Sequence, residues 1–168
     1  MSVNEELLEH NRRYAADFQD GDLPTPPSRR MVIVTCMDSR LMLYELLGLR
    51  NGEAHVIRNA GGIVNEETLR SLLISTRLLA TRDVVVINHT ECGMLTFTEE
   101  GFRAKLREEL GRPIDPFPLY AFDNLEENVR WQVEKIRTAP LLPPGLNVCG
   151  FVYDVKSGCL KEVPTPAA

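Results

Sequence analysis

The segment VVVINHTECGM, residues 84–94, decides how the rest of the sequence is interpreted. Its run of β-branched residues is typical of a strand buried on both faces. The run ends at His89, and Cys92 follows three residues later. A His-x-x-Cys pair is weak evidence of a metal site when it stands alone. If the pair is half of such a site, the other half lies elsewhere in the chain.

The composition of the chain is that of a soluble globular protein. Its 168 residues are enough for one domain with a real core, and 43% hydrophobic and 26% charged residues are ordinary values. A net charge of −5, without a basic run, argues against a nucleic-acid partner or an anionic membrane. No apolar stretch is long enough to span a bilayer, and the acidic start MSVNEELLEHNRR is unlike a signal peptide. We therefore expect a cytoplasmic protein without a membrane partner.

Strand-like and helix-like patterns alternate along the chain. Strands are predicted at 31–35, 54–59 and 83–89 and in a C-terminal hairpin of LNVCGFVYDV and CLKEV. Helices are predicted within 2–18, 41–49, 65–82, 97–110 and 124–138, and a proline-rich loop at 111–118. Asp123 is the predicted N-cap of the last helix, and Trp131 is expected to pack in the core. The fold class is therefore α/β, a three-layer α/β/α arrangement with a mostly parallel central sheet and a C-terminal antiparallel hairpin.

A second set of reactive side chains follows the first predicted strand, in Cys-Met-Asp-Ser-Arg at 36–40. Because functional groups gather outside the carboxyl ends of parallel strands, Cys36 can meet His89 and Cys92 at one edge of the sheet. Two thiolates and one imidazole form a zinc ligand set that leaves the fourth position open, which predicts catalysis. The alternative is that Cys36 is a small buried hydrophobe and that Asp38 or its neighbour caps the next helix.

Three motifs in this order closely resemble the β-class carbonic anhydrases, a family that includes hydrolases of carbonyl sulfide and carbon disulfide. They are Cys-x-Asp-x-Arg at 36–40, Arg-Asn-Ala-Gly at 58–61 and His-x-x-Cys-Gly at 89–93. The resemblance is strong over roughly residues 30–95 and looser over the remaining helices. It implies that Cys36, His89 and Cys92 hold one Zn²⁺ per subunit.

The resemblance also implies that Asp38 and Arg40 form a catalytic dyad beside the open position. Two thiolates cancel the charge of Zn²⁺, so the bound water is less acidic than at a three-histidine site. Asp38 would accept the hydrogen bond and the proton of that water, and Arg40 would hold Asp38 ionised. The zinc-bound hydroxide would then convert carbon dioxide to bicarbonate and a proton. In a closed state, Asp38 itself could serve as the fourth zinc ligand.

Ala60, Gly61 and Gly62 follow the second predicted strand and have two interpretations. They form either a strand-ending turn, where glycine tolerates positive φ, or a wall of small residues that borders the substrate pocket. The family resemblance favours the pocket.

Two further functions remain open at the level of sequence. The same zinc hydroxide could hydrolyse carbonyl sulfide or carbon disulfide, which are linear and isoelectronic with carbon dioxide at the reacting carbon. In the other alternative, Cys36 and Cys92 are thiols of a non-catalytic zinc or redox-sensing module.

The domain boundaries follow from these assignments. Residues 1–28 are predicted to be an N-terminal helix and linker that pack on a partner subunit, and residues 29–168 a single α/β zinc-binding catalytic domain. The resemblance implies a homodimer or an assembly of dimers, such as a homotetramer, that acts on a small-molecule substrate.

Overall fold

The computed structural model describes residues 2–114 and 117–165, in which helices and strands alternate as the sequence predicts. Residues 115 and 116 of the predicted loop, and the terminal residues 1 and 166–168 of the predicted domains, lie outside the described residues. The helices are α1 (Val3–Ala16), α2 (Leu43–Leu47), α3 (Glu66–Arg77), α4 (Glu99–Leu110) and α5 (Leu125–Arg137), with a short 3-10 helix at Gly93–Leu95. The strands are β1 (Met31–Cys36), β2 (Ala54–Asn59), β3 (Asp83–His89), β4 (Asn147–Tyr153) and β5 (Leu160–Val163).

The strands form one sheet in the order β2-β1-β3-β4-β5. The β1–β2, β1–β3 and β3–β4 pairs are parallel, and β4–β5 is antiparallel. The mostly parallel sheet with a C-terminal antiparallel hairpin is therefore confirmed. Because β1 and β3 are neighbours, with Thr35 opposite Ile87, their carboxyl ends lie side by side near the middle of the sheet.

Helices flank both faces of the sheet, as predicted, but the two layers differ in size. On one face, α3 and α5 cover rows of valines from the strands; this core contains Val32, Val34, Val84, Val86, Leu72, Val129, Val133 and Ile136. On the other face, the five-residue α2 and Leu49 cover Ile33 and Ile87. Further apolar side chains of that face, among them Val85 and Phe151, stay half-buried. The second helical layer is therefore thin.

The N-terminal helix α1 forms as predicted but is not packed into the domain. It begins with a capping box in which Ser2 and Glu5 each hydrogen bond the other's backbone N–H. None of its residues, all of which the structure describes, is buried, and Leu7, Leu8 and Tyr14 are 57–63% exposed. Over the described ranges, no helix is both long and apolar enough to cross a membrane.

Two local predictions for α5 are wrong. The helix begins one residue later than expected, so its N-cap is Asn124, whose side chain accepts from the Glu127 N–H at 3.0 Å, and not Asp123. Trp131 is 68% exposed. The buried stripe of α5 consists of residues three and four apart, and Trp131 falls outside it; the stripe is Asn128, Val129, Gln132, Val133 and Ile136.

Candidate metal centre

Three metal-ligating side chains meet where β1 and β3 end. Cys36 is the last residue of β1, His89 is the last residue of β3, and Cys92 follows in the next turn. Their ligand atoms all lie within 4.8 Å of one another, and all three residues are buried. The two sulfur atoms are 4.0 Å apart. Two sulfurs bound at about 2.3 Å to one tetrahedral zinc lie about 3.8 Å apart, so the spacing fits this metal.

The ring of His89 is oriented for metal binding. Its Nδ1–H donates to the Thr90 carbonyl at 2.8 Å, which leaves Nε2 directed at the two thiols. Over residues 2–114 and 117–165, His89 Nε2 is the one buried side-chain nitrogen or oxygen without a hydrogen-bond partner. An orphaned buried polar atom is costly, and a histidine that ligates a metal normally donates its other N–H to a carbonyl or carboxylate. The residues present therefore fit a zinc ion.

The thiols of Cys36 and Cys92 affect each other's pKa through the hydrogen bond between their sulfur atoms. The hydrogen bond from the Cys92 thiol, followed by contacts with His89 and the Gly61 N–H, lowers the pKa of Cys36. The pKa of Cys92 is raised, because its hydrogen bond to Cys36 and its burial favour the protonated thiol. Burial by itself lowers the pKa of His89, but the contact with Cys36 and the bond to Thr90 raise it overall. A cation bound between these groups would displace the proton of this hydrogen bond.

Asp38 and Arg40 form a two-pronged ion pair close to His89. Arg40 Nε donates to Asp38 Oδ1 at 3.0 Å and Nη2 donates to Oδ2 at 2.7 Å. This pairing holds the pKa of Asp38 well below its usual range. Asp38 Oδ2 is also 3.7 Å from His89 Nε2. Asp38 is not a helix cap, because α2 begins at Leu43 with Met42 as its N-cap, so the predicted cap is wrong.

Arg58 holds the backbone of the segment that carries Cys36 and Asp38. Its Nε donates to the Cys36 carbonyl at 2.9 Å, and its Nη2 donates to the Asp38 carbonyl at 2.6 Å. A longer bond of 3.4 Å reaches the carbonyl of Leu41. The guanidinium thereby ties strand β2 to the loop between β1 and α2.

The loop Ala60–Gly62 lies against the centre. The Gly61 N–H donates to Cys36 Sγ at 3.4 Å, whereas Ala60 is exposed. Gly61 and Gly62 have φ values of +83° and +63°, which favour glycine. A Cβ on Gly61 would lie 3.0 Å from Met94 Cγ and 3.2 Å from a ring carbon of Phe122. The positive φ values confirm the glycine turn, and the role of this loop as a border of the substrate pocket stays a prediction.

An apolar cluster adjoins the thiols. Met94 is buried with Cys36 and Cys92, and partly buried Leu95, Phe97 and Phe122 pack against these residues. Part of the surroundings of the centre is therefore apolar.

Several residues around the site were missed by sequence reasoning. Glu91 connects the Asp38–Arg40 pair to the β4–β5 hairpin. Its carboxylate lies 3.6 Å from Arg40 Nη1 and 2.5 Å from Lys156 Nζ, which belongs to the turn of that hairpin. Asn88, Asn128 and Gln132 are buried amides on one face of the sheet. A signal for Asn88 was present in the sequence, because it continues the alternating row of Val84 and Val86 with a polar residue.

Comparisons with known proteins agree with this geometry. A family model described as carbonic anhydrase matches residues 31–160. The β-carbonic anhydrase 1 of Mycobacterium tuberculosis is 44% identical over 164 residues, which cover 97% of this chain and 99% of that protein. A carbon disulfide hydrolase of Acidianus sp. is 32% identical over 160 residues, which cover 82% of this chain and 78% of that protein. The crystal structure of carbonic anhydrase from Streptococcus mutans has a TM-score of 0.92 and 38% identity, and covers 98% of this chain and 99% of that chain.

Proposed function

The chain belongs to the β-class carbonic anhydrase family, and from that premise we propose that it catalyses the reversible hydration of carbon dioxide to bicarbonate and a proton. The observation that carries this proposal is the buried group of Cys36, His89 and Cys92 with its unpartnered Nε2, next to an ionised Asp38. The 44% identity to a β-carbonic anhydrase over 97% of the chain supports the same reaction.

We propose that Cys36 Sγ, Cys92 Sγ and His89 Nε2 hold one Zn²⁺ per subunit. When bound, the metal supplies a Lewis acid that acidifies a coordinated water for attack on carbon dioxide. Three protein ligands are the number typical of a catalytic zinc site, and a structural site would use four.

The remaining residues act on the reactants. The ionised carboxylate of Asp38 can accept a hydrogen bond and a proton from a water at the centre, and Arg40 fixes that carboxylate in place. Arg58 holds the loop on which Asp38 lies. The apolar cluster around Met94 and Phe122 provides a surface suited to carbon dioxide, which is itself apolar.

A closed state of the site, with Asp38 as the fourth zinc ligand, would require Asp38 to leave Arg40. Both prongs of the ion pair would then be lost. X-ray absorption of the zinc protein at several pH values would reveal a pH-dependent change in zinc coordination if a carboxylate entered the fourth position.

A second candidate function is hydrolysis of carbon disulfide or carbonyl sulfide. The 32% identity to a carbon disulfide hydrolase supports it, and the same ligands and dyad would serve these linear substrates. A redox module would instead require Cys36 and Cys92 to approach from 4.0 Å to the disulfide bond length of about 2.05 Å.

Metal analysis combined with two rate assays tests these functions. We expect one zinc per chain, rapid carbon dioxide hydration in stopped flow and little release of sulfide. The Asp38→Asn variant should keep its zinc and lose about 10²–10⁴-fold in turnover, the range of general acid–base contributions. Sulfide release faster than hydration would favour the second candidate. A protein without zinc would favour the redox module, and full activity of Asp38→Asn would remove Asp38 from the mechanism.

For the assembly, we propose a homodimer or a larger assembly of dimers in which residues 1–28 pack on the partner subunit. The exposed apolar side chains of α1 and the thin helical layer on one face of the sheet support this proposal. A monomer of 19.0 kDa in size-exclusion chromatography with light scattering would contradict it. The cytoplasmic location stays a prediction that cell fractionation would test.

A further inference from the structure

A chain of buried amides connects helix α5 to the loop beside the metal centre. Gln132 Nε2 donates to Asn128 Oδ1, Asn128 Nδ2 donates to Asn88 Oδ1, and Asn88 Nδ2 donates to the Gly61 carbonyl, each at 2.8 Å. At the other end, Gln132 Oε1 accepts from the Val64 N–H at 2.8 Å. The three side chains are 1–6% exposed. We call this set of three side chains the amide relay.

The direction of every bond in the amide relay is determined by its two ends. The Val64 N–H can only donate, so it requires the oxygen of Gln132, whose nitrogen then faces Asn128. The Gly61 carbonyl can only accept, so it requires the nitrogen of Asn88, whose oxygen then faces Asn128. Asn128 satisfies both neighbours in one orientation alone. The relay is thus fully connected, as a buried polar network must be to stabilise a structure.

Both backbone ends of the relay lie in the loop that contacts Cys36. Val64 is held by Gln132 of α5, and Gly61 is held by Asn88 of β3, which accepts from Asn128 of α5. Gly61 in turn donates its N–H to Cys36 Sγ. Gly62 lies directly over the relay, since a Cβ there would be 2.8 Å from Asn88 Nδ2. The position of one donor to a metal-binding sulfur therefore depends on side chains of a distant helix.

We propose that Asn128 and Gln132 are positioning residues for the metal centre, which act through Asn88 and the Gly61 backbone on the thiolate of Cys36. This inference rests on the proposed zinc site and adds to it a role for α5. A hydrogen bond to a thiolate stabilises the sulfur lone pairs and fixes their direction. Partners of metal ligands typically contribute about 10–100-fold to metal affinity.

Cobalt(II) substitution with Asn128→Leu measures this effect on the sulfur directly. Leucine has a similar volume but neither donates nor accepts, so the relay is broken at its middle. Because a sulfur without its hydrogen bond is easier to oxidise, we expect the sulfur-to-cobalt charge-transfer band to move to longer wavelength. Competition with a chelator should show roughly tenfold weaker zinc affinity. Gln132→Met, at the outer end, should give a smaller change in the same direction and provides the test if Asn128→Leu does not fold.

Val133→Ala is the matched control. Val133 lies on the same buried stripe of α5, is 1% exposed and makes no relay bond. It should lower the unfolding midpoint while leaving the cobalt band and the zinc affinity as in the unchanged protein. An unchanged band and affinity in the relay variants, or an equal change in Val133→Ala, would overturn the proposal. Failure of the unchanged protein to bind zinc or cobalt would refute the site itself. Absence of carbon dioxide hydration beside a shifted band would refute the proposed reaction alone.

Discussion

Replacing Gly62 by alanine tests how closely the loop beside the metal centre is packed. A Cβ at this position would lie 2.8 Å from Asn88 Nδ2, 2.9 Å from the Thr35 carbonyl carbon and 3.1 Å from the Cys36 nitrogen. Two of these atoms belong to the backbone of β1, which is paired on both sides and cannot move without loss of ladder hydrogen bonds. The added methyl group therefore cannot be accommodated without a shift of the backbone.

The expected destabilisation has two parts. A residue with a Cβ in the left-handed region costs about 1–2 kcal/mol, and φ at Gly62 is +63°. Insertion of a methyl group into a close-packed site costs a further 1–3 kcal/mol or so. Together these contributions predict a loss of about 2–5 kcal/mol in the free energy of unfolding.

Gly48→Ala separates the two parts. Gly48 has nearly the same φ, +61°, and a Cβ there would meet nothing within 4 Å in the part of the chain that the structure describes. This variant should lose only the backbone contribution, about 1–2 kcal/mol. Urea titrations of both zinc-loaded variants, carried out at the same zinc concentration, give the two free energies of unfolding. If Gly62→Ala is destabilised no more than Gly48→Ala, the close contact with β1 does not exist and the reasoning is refuted.

Three further predictions concern the centre itself. An added Cβ in Gly61→Ala meets side-chain atoms alone, at 3.0 Å from Met94, 3.2 Å from Phe122 and 3.4 Å from Ile63, so this variant should be destabilised less than Gly62→Ala. We expect kcat/KM for carbon dioxide to fall roughly tenfold to a hundredfold, and unchanged kinetics would show that this loop does not border the substrate. Removal of zinc by a chelator should lower the free energy of unfolding by about 4 kcal/mol relative to protein with free zinc at a thousand times its Kd, and equal stability would contradict the metal site. Because Arg40 holds the pKa of Asp38 well below its usual range, Asp38 stays ionised from pH 6 to 9 and contributes no pH dependence there. Carbon dioxide hydration should still rise toward alkaline pH, because two thiolates would make a zinc-bound water less acidic than at a three-histidine site, and activity that falls over this range would contradict the assigned charges.

The sequence was sufficient to predict the strands and the convergence of Cys36, His89 and Cys92, for identifiable reasons. The strands that end at Cys36 and His89 are short β-branched runs, and parallel neighbours place their carboxyl ends together. Cys36, His89 and Cys92 are each recognisable as a ligand type, so their convergence followed from the order of the elements. The positions of Cys36 and His89 at the ends of their strands were thus enough to locate the candidate metal centre.

The amide relay could not be predicted in this way. Its contacts join Asn88 to Asn128 and Val64 to Gln132, across 40 and 68 residues. They depend on how α5 lies over the sheet, which the periodicity of either element does not determine. The wrong prediction for Trp131 has the same cause, because the sequence does not show which side of α5 faces the sheet. A buried stripe displaced by one residue places Trp131 at the surface.

The pairing of β1 with β3 gives the metal centre a consequence for folding fidelity. Displacing one strand by a single residue turns its side chains to the opposite face of the sheet, and displacing it by two residues moves them about 6.6 Å along the sheet. Either error would move Cys36 away from His89, whose ligand atoms now lie within 4.8 Å of each other. If zinc binds these three residues as proposed, only the correctly aligned chain gains the free energy of metal binding. The proposed zinc ion would thus also favour the correct strand alignment.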